Sequence, residues 1–276
     1  MQVVGEVLKT LMPELTLVSE LGRYTCNGCG NEVVTIEMPV LGGPNKGKII
    51  QKKRGCVCWE NEQAREAKRL QQIGKIKQMV DKFSTINPDL ANASFENYET
   101  SNSNLLYALK ESKDYANNFS LDKPQNLLFA GLYGLGKSHL AYSICKAVQE
   151  QNKVAVFVSV PKLLTIIKST YNSSSGFTEA ELLETLSTVD LLALDDIGAE
   201  KVKKDRNGNE DAETWANEKL FEIIDGRSGR HTIYTTNLSS DELRVRVGQR
   251  NFSRMMMNTK PVKFEGDDYR IKYKRF

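Results

Sequence analysis

At 276 residues the chain is long for one domain and short for three, so we expect two domains, and an apolar share of 40% permits a sizeable core. No apolar stretch approaches the roughly 18 residues that a membrane helix needs, and residues 1–15 lack the pattern of a secretion signal, so we expect a cytoplasmic protein with no membrane partner. The net charge of +3 is too small to indicate a nucleic-acid-binding protein.

Four cysteines mark the first part of the chain, residues 1–59, which also holds short apolar runs and a glycine-rich turn. They follow the spacing C-x2-C, 26 residues, C-x-C, and they are Cys26, Cys29, Cys56 and Cys58. Four thiolates in two close pairs can hold one Zn²⁺ tetrahedrally, and a site with four protein ligands is structural rather than catalytic. Disulfides are disfavoured in the cytoplasm, which leaves unligated buried cysteines as the simpler alternative. The sequence therefore predicts a small zinc-binding domain, with a C-x-C pair that is tighter than usual.

Residues 60–82 are rich in charge and predict one exposed helix. Its apolar positions form a narrow stripe suited to docking or bridging: Ala67, Leu70, Ile73, Ile76 and Val80. The following polar stretch, 84–104, is rich in asparagine and contains Pro88, which is typical of a domain boundary. We therefore assign residues 60–94 to a charged helix and linker and residues 95–276 to the second domain.

The eight residues 131–138, GLYGLGKS, match a nucleotide-binding loop at every fixed position. A short apolar strand at 126–130 leads into the loop and a helix at 139–149 leads out, so backbone N–H groups and the helix N-terminus would face the phosphates. The lysine ammonium can contact the outer phosphates, and the serine hydroxyl can bind Mg²⁺. The predicted ATP-binding residues here are Gly131, Gly134, Leu135, Gly136, Lys137, Ser138 and His139.

Two histidine side chains and one cysteine in this second part have no partner pattern. We interpret the side chains of His139 and His231 as structural, and Cys145, on the helix after the loop, as a small core residue.

Three further apolar runs, at 154–160, 189–194 and 231–235, predict short buried strands, and a helix opens at Pro161. Short, fully apolar strands that alternate with helices indicate a parallel sheet covered on both faces. The second domain is therefore expected to have an α/β fold.

Two acidic residues end the strand at 189–194 and complete an ATPase site. Asp195 would hold Mg²⁺, mostly through water, and Asp196 would accept a hydrogen bond from the attacking water. A pair of polar strand-end residues is the simpler alternative, but two like charges at the end of a buried strand are costly without a cation. Asn237, at the end of the next strand, could contact the same water or the γ-phosphate, or could equally cap a helix.

Basic residues are concentrated in residues 244–276, where ten Lys/Arg stand against three Asp/Glu. The segment also carries Tyr269, Tyr273 and Phe276. Basic residues mixed with aromatic ones suit a single-stranded nucleic acid or an acidic partner, and a solvated lysine-rich tail accounts for the same counts equally well.

From about Phe95 to its end, the chain resembles the AAA+ helicase loaders of bacteria and their phages, the DnaC/DnaI type. The resemblance rests on the segments ASFENYE, GLYGLGKSHLA, LLALDDIGAE, IYTTNLS, GQRNFSRMMM and GDDYR. It implies an AAA+ P-loop ATPase in which Asn237 is the first sensor, Arg254 is the finger that reaches a neighbour's γ-phosphate, and Arg270 is the second sensor. Arg250 is the weaker rival for the finger. Arg227 and Arg230 could also face a neighbouring subunit, but we expect both on a solvated surface.

The same resemblance implies a function. The zinc domain and the charged helix at 60–82 would hold a hexameric replicative helicase of the DnaB type, and the ATPase domain would assemble on single-stranded DNA. An arginine finger acting in trans requires head-to-tail self-assembly into a ring or a spiral. Hydrolysis of ATP to ADP, with Mg²⁺, would then release the loader.

Two other classes of protein compete with the helicase loader. A transposition helper ATPase of the IstB type shares nearly the same ATPase motifs, but it would need no helicase-binding zinc module. A non-hydrolysing adaptor that uses ATP only as a structural ligand would not need the intact set of Asp195, Asp196, Asn237 and Arg254.

Overall fold

The computed structural model describes residues 19–83, 88–100, 102–171, 176–199 and 215–272. The chain divides into two compact units, Met1–Gln71 and Gln72–Phe276. The division falls inside the long charged helix, within the segment that we assign to a helix and linker. The bounds 1–59, 60–94 and 95–276 stay predictions.

The first unit contains a three-stranded antiparallel sheet in the order β1-β2-β3: β1 is Ser19–Thr25, β2 Glu32–Pro39 and β3 Ile49–Arg54. The glycine-rich turn joins β2 to β3, and Gly47 N donates to the Val40 carbonyl oxygen at 2.8 Å. Val33 and Ile36 in the central strand are buried, whereas every residue of β1 and β3 is exposed. So small an apolar core among the described strands of this unit favours a further stabilising element, such as a metal site.

Helix α1, Cys58–Phe83, confirms the helix predicted at 60–82. Of its predicted apolar stripe, Leu70 is half exposed and Ile73 is buried. Within the part of the chain that the structure describes, no helix combines the length and the apolar character needed to cross a membrane.

The second unit contains a five-stranded parallel sheet in the order β5-β6-β7-β4-β8. Its strands are β4 Asn126–Gly131, β5 Ala155–Ser159, β6 Leu191–Asp195, β7 His231–Thr236 and β8 Thr259–Phe264. Alternate strand residues enter two separate apolar clusters, Leu128 one of them and Leu127 and Phe129 the other. The sheet is therefore covered on both faces, which confirms the predicted α/β fold.

The helices of the second unit lie between and around these strands. They are α2 Pro88–Ala91, α3 Ser103–Asn117, α4 Lys137–Glu150, α5 Val160–Ser169, α6 Glu179–Thr188, α7 Trp215–Gly226, α8 Ser240–Val247, α9 Gln249–Met256 and α10 Tyr269–Lys272. Helix α4 directly follows β4, as the strand–loop–helix pattern predicts.

The sequence pattern does not predict strand β8. Only Val262 and Phe264 of its six residues are buried, and Pro261 interrupts the pattern. The strand lies at the edge of the sheet, where a proline needs no hydrogen-bonding neighbour for its missing N–H. Its position beside β4 brings the C-terminal residues close to the nucleotide-binding loop.

Candidate functional site

The nucleotide-binding loop connects β4 to α4 and depends on glycine at its fixed positions. Gly134 and Gly136 have φ angles of 69° and 78°, in the left-handed region that favours glycine. A Cβ atom at Gly136 would collide with the ring of Tyr98, whose hydroxyl donates to the Leu135 carbonyl oxygen at 2.8 Å. The loop is thus held in its curled form by a side chain from outside it.

Lys137, the first residue of α4, lies at the centre of the site. Its side chain is 5% exposed, and Nζ donates to the carbonyl oxygens of Gly131 and Leu132 at 2.8 and 2.6 Å. A third bond, at 2.7 Å, goes to Oδ1 of Asn237 at the end of β7. Burial lowers the pKa of the ammonium to about 8, although the carboxylates of Asp196 and Asp195 favour its charged form. The loop and the end of β7 are therefore joined through one cation.

The two predicted Mg²⁺ ligands interact with each other, because the Ser138 side chain acts to lower the pKa of the Asp195 carboxyl group. Asp195, the last residue of β6, is 6% exposed, and its Oδ1 accepts a hydrogen bond from the Thr235 hydroxyl at 2.6 Å. Burial, and after it the neighbouring Asp196 carboxylate, raises the pKa of Asp195 to about 6. A buried carboxylate beside a hydroxyl suits a hard cation such as Mg²⁺, which would supply the compensating charge.

The raised pKa of Asp195 predicts an unusual pH dependence of stability in the absence of nucleotide and Mg²⁺. The folded state binds more protons than the unfolded state between the ordinary pKa of 3.8 and about 6, so stability falls as pH rises through this range. Between pH 5 and pH 7.5 we expect the free energy of unfolding to lose about 1.4 kcal/mol from this group. Asp195→Asn should remove the loss.

Urea unfolding at the two pH values measures this effect. A Trp59→Phe background leaves Trp215, in α7, as the tryptophan reporter of the second unit, since the chain has two tryptophans. Parallel pH profiles of the unsubstituted protein and the Asp195→Asn variant would contradict the assignment of a buried, protonatable Asp195.

Asp196 and Asn237 form the next part of the same network. Asn237 Nδ2 donates to Asp196 Oδ1 at 3.2 Å, while its Oδ1 accepts from Lys137. Asp196 has a φ of 55°, and its N–H donates to the Thr235 hydroxyl oxygen at 2.9 Å. Aspartate tolerates this left-handed conformation better than most residues, and such strain is typical of functional sites. The helix-cap alternative for Asn237 is not supported, because Ser239 caps α8.

The C-terminal segment after β8 lies against the nucleotide-binding loop. Tyr269 N donates to the Gly134 carbonyl oxygen at 3.0 Å, and the Asp268 carboxylate fills the space that a Cβ at Gly134 would need. Arg270 is exposed and lies close enough to Lys137 to disfavour the lysine's charged form. The structure therefore brings the predicted second sensor to the loop of the same chain.

Arg254, in contrast, lies at the opposite end of the sheet, where the parallel strands begin. Its Nη1 is 2.6 Å from Oδ1 of Asp225, at the end of α7, and it shares a pocket of about 240 Å³ with Asn126 and Arg230, near the amino ends of β4 and β7. The loop follows the carboxyl end of β4, and a six-residue strand spans about 20 Å. This separation is too long for Arg254 to contact a nucleotide bound at the loop of its own chain.

Arg250, the rival for the finger role, lies on the same helix, α9. Its guanidinium carbon is 3.5 Å from the ring centre of Phe221, and that of Arg254 is 5.7 Å from the same centre. The ring thus packs against both arginines. Arg254 remains the predicted finger.

The expectation that Arg227 lies on a solvated surface is wrong. Its side chain is 2% exposed, Nη1 donates to the Leu186 carbonyl oxygen at 2.6 Å, and Nε donates to the Thr232 hydroxyl at 2.9 Å. Burial lowers its pKa to about 10. The last carbonyl groups of α6 need donors, and the five N–H groups of an arginine supply them. Arg230 is exposed, as expected.

His139, His231 and Cys145 have structural surroundings, as predicted. His139 Nε2 is 2.8 Å from the Ser94 carbonyl oxygen. His231 is buried, with Nδ1 2.7 Å from the Tyr115 hydroxyl, and burial lowers its pKa. Cys145 is 1% exposed within the core.

The four N-terminal cysteines form a cluster in the first unit. The four Sγ atoms all lie within 4.8 Å of one another, and none of them forms a disulfide; they belong to Cys26, Cys29, Cys56 and Cys58. Four sulfurs around one Zn²⁺ at 2.3 Å are about 3.8 Å apart, so the cluster needs little adjustment to fit this metal. Backbone N–H groups of Gly28 and Cys29 lower the pKa of Cys26 to about 7, which favours the thiolate that a metal binds.

The sequence also matches a known family of ATP-binding proteins and its relatives. The profile of the IstB-like ATP binding protein family matches residues 60–276. This chain belongs to that family. Replicative helicase loader DnaC of Escherichia coli (strain K12) is 31% identical over 220 residues, which are 78% of this chain and 85% of DnaC. DnaC of Buchnera aphidicola subsp. Baizongia pistaciae is also 31% identical, over 223 residues, 78% of this chain and 86% of that protein.

Solved structures show the fold of this IstB-like ATPase to be of the AAA+ P-loop type. The DnaC helicase loader has a TM-score of 0.55 at 24% identity, over 64% of this chain and 99% of that one. DnaI has a TM-score of 0.53 at 18% identity, over 67% and 94%. The AAA+ ATPase class predicted from the sequence is confirmed, and ATP or ADP with Mg²⁺ are the ligands that this class implies.

Three residues of the site in this IstB-like ATPase were not predicted from the sequence: Tyr98, Thr235 and Asp268. Thr235 could have been found, because it precedes Asn237 by two residues on a strand that ends at the site. Tyr98 and Asp268 are 38 and 134 residues away from the loop positions Gly136 and Gly134 that they contact, and no local pattern marks them.

Proposed function

We propose that the chain is an ATP-dependent loader that binds a hexameric replicative helicase and delivers it onto single-stranded DNA. The observation that carries this proposal is the joined network of Lys137, Asp195, Asp196 and Asn237 in a chain that matches 85% of the length of a named helicase loader. A separate cysteine-bearing unit precedes the ATPase unit, so helicase binding and ATP hydrolysis can be assigned to different units of the chain.

In the ATPase unit, backbone N–H groups of the loop and the N-terminus of α4 bind the phosphates, and Lys137 neutralises their outer charge. Ser138 and Asp195 hold Mg²⁺, which supplies charge compensation at the phosphates. Asp196 accepts a hydrogen bond from the attacking water, and Asn237 holds Asp196 in place. Leu135, Gly136 and His139 belong to the same phosphate-binding turn.

The site needs one more positive charge in the transition state. Arg254 of a neighbouring subunit supplies it, and Arg270 of the same chain contributes from the other side. Arg254 and the loop lie at opposite ends of the parallel strands, and this separation supports a head-to-tail assembly, whether a ring or a spiral. Single-stranded DNA is the track on which the subunits assemble.

In the first unit, one structural Zn²⁺ held by the four cysteines orders the small sheet, and this unit with the charged helix α1 binds the helicase. Reduced cysteines are consistent with a cytoplasmic protein. Hydrolysis changes no covalent bond in DNA and acts as the signal for release.

Capture of the purified host helicase by the full chain tests the function. The double variant Cys26→Ser, Cys29→Ser should fall from about one zinc per chain to nearly none and should lose helicase capture. ATP binding should stay within about twofold, because the ATP site lies wholly in the second unit. Cys145→Ala, outside the cluster, is the matched control and should keep zinc and capture. Helicase capture by the zinc-free double variant would contradict the role given to the first unit.

A transposition helper of the IstB type remains the second candidate, since the family bears that name. The curated relatives at 31% identity are helicase loaders, and the cysteine cluster has no use in a helper of that kind. Capture of a transposase, with no capture of the helicase, would support the transposition helper and refute the helicase loader.

A further inference from the structure

Two aromatic rings and one ammonium group come together on the exposed sheet of the first unit. Lys53 Nζ lies 5.5 Å from the ring centre of Tyr24 and 5.6 Å from that of Trp59. The three residues come from β1, β3 and the start of α1, and we call them the Tyr24–Trp59 surface. The strand register explains the placement: Lys53 is opposite Thr35 and Tyr24 is opposite Val33, two positions along, so both lie on one face.

The two rings of this surface remain largely exposed. Tyr24 is 45% exposed and Trp59 is 51% exposed. Burying a large apolar side chain is worth about 1.5–3 kcal/mol, so covering the two rings would stabilise a unit whose described strands bury two apolar residues. Exposed aromatic side chains that are grouped rather than scattered indicate a binding surface.

The charge beside the rings is positive. Lys52, Lys53 and Arg54 follow one another on the edge strand β3, and none of them pairs with an acidic residue among the described residues. The carboxylates of the neighbouring strands are engaged elsewhere, because Glu20 and Glu32 pair with Arg23 and Glu37 accepts from Gln51. Because side chains alternate along a strand, Lys53 lies on the face of the two rings, and Lys52 and Arg54 lie on the other face of β3. Lys53 is therefore the uncompensated cation beside the rings, and it suits a phosphate group.

We propose that the Tyr24–Trp59 surface binds single-stranded DNA. Two bases stack on the rings, and a phosphate of the same strand lies beside Lys53. The ring centres are at most about 11 Å apart, a distance that two or three nucleotides span at about 3.4 Å or more each. The bases of a duplex are already stacked and paired, so only a single strand can use both rings. The choice of DNA as the strand rests on the proposed function.

This contact differs from any that the ATPase unit makes, because all three residues belong to the unit Met1–Gln71. The unit that holds the helicase would then also touch the strand onto which the helicase is delivered. An acidic protein surface is the competing partner for the same three residues.

The fluorescence of Trp59 reads the contact directly. Trp215→Phe leaves Trp59 as the single tryptophan of the full chain. Titration with a dT oligonucleotide, without ATP, should quench this fluorescence saturably as bases stack on the ring. DNA binding seen by anisotropy of a labelled oligonucleotide, without any change in Trp59 fluorescence, would overturn the proposal.

Variants of the three residues provide the second measurement. Trp59→Ala and Tyr24→Ala should each weaken oligonucleotide binding at least about fivefold, and Trp59→Phe should restore most of it. Lys53→Gln should reduce the slope of log affinity against log salt by about 0.7. Lys46→Gln, in the exposed β2–β3 turn, is the matched control and should change neither.

Helicase capture by the same variants separates this proposal from the proposed function. Retained capture with lost DNA binding supports both. Lost capture with unchanged DNA binding assigns the surface to a protein partner and overturns the DNA proposal, while the loader function stands. Loss of capture in every protein, including wild type, refutes the loader function and leaves the DNA contact to be judged by the quenching alone.

Discussion

Lys137→Ala is expected to weaken ATP binding at least about 100-fold and to abolish measurable hydrolysis. The lysine is the cation at the centre of the site, and charge-assisted bonds to two phosphates are worth about 1.5–3 kcal/mol each. Isothermal titration with ATP and a phosphate-release assay measure the two effects. Helicase capture should be unchanged, since the cysteine cluster lies in the other unit.

Lys146→Ala is the matched control for this experiment. Lys146 lies on the same helix, but its Nζ donates to the Ala93 carbonyl oxygen at 3.1 Å, away from the loop. The Lys146→Ala variant should bind and hydrolyse ATP normally. If Lys137→Ala lost helicase capture as well as ATP binding, the two units could not act independently.

Arg254→Ala is expected to bind ATP normally and to hydrolyse it about 1,000-fold more slowly. An arginine that enters a phosphoryl-transfer site from outside contributes about 10³-fold or more to the rate, and Arg254 lies a strand's length from the loop of its own chain. Arg250→Ala, which removes the other arginine that packs on Phe221, is the matched control and should have a much smaller effect.

Mixing two inactive variants tests the trans arrangement. Asp196→Asn protein lacks the water-orienting carboxylate but offers an intact Arg254, and Arg254→Ala protein offers an intact site. Together they should recover part of the activity that neither has alone. A mixture as inactive as its components would refute a finger in trans, and an equal loss in Arg250→Ala would move the role to that residue.

The parts of the fold that follow from short-range patterns could be predicted. The loop motif, the apolar strands and the charged helix each occupy one continuous segment, so periodicity and spacing are sufficient to find them. The C-x2-C and C-x-C pairs likewise predicted a cluster that the structure brings together. Asp195, Asp196 and Asn237 were found because parallel strands place their carboxyl ends at one edge.

The parts that depend on long-range packing could not be predicted. Arg227 follows a glycine in a polar stretch, and nothing in that stretch shows that carbonyl groups of α6 will surround it. Strand β8 has too few apolar residues for its period to be visible, so the approach of Asp268 and Tyr269 to the loop was hidden as well. The role of Tyr98 under Gly136 required the folded chain.

Arg254 lies at one end of the parallel strands and the loop lies at the other, and this placement affects how many catalytic centres an assembly can complete. In the open spiral that we propose as one form of the assembly, each contact would complete one catalytic centre, so the number of working centres would be one fewer than the number of subunits. The subunit at one end carries an arginine that meets no nucleotide, and the subunit at the other end carries a nucleotide that no arginine reaches. That last ATP would persist longest.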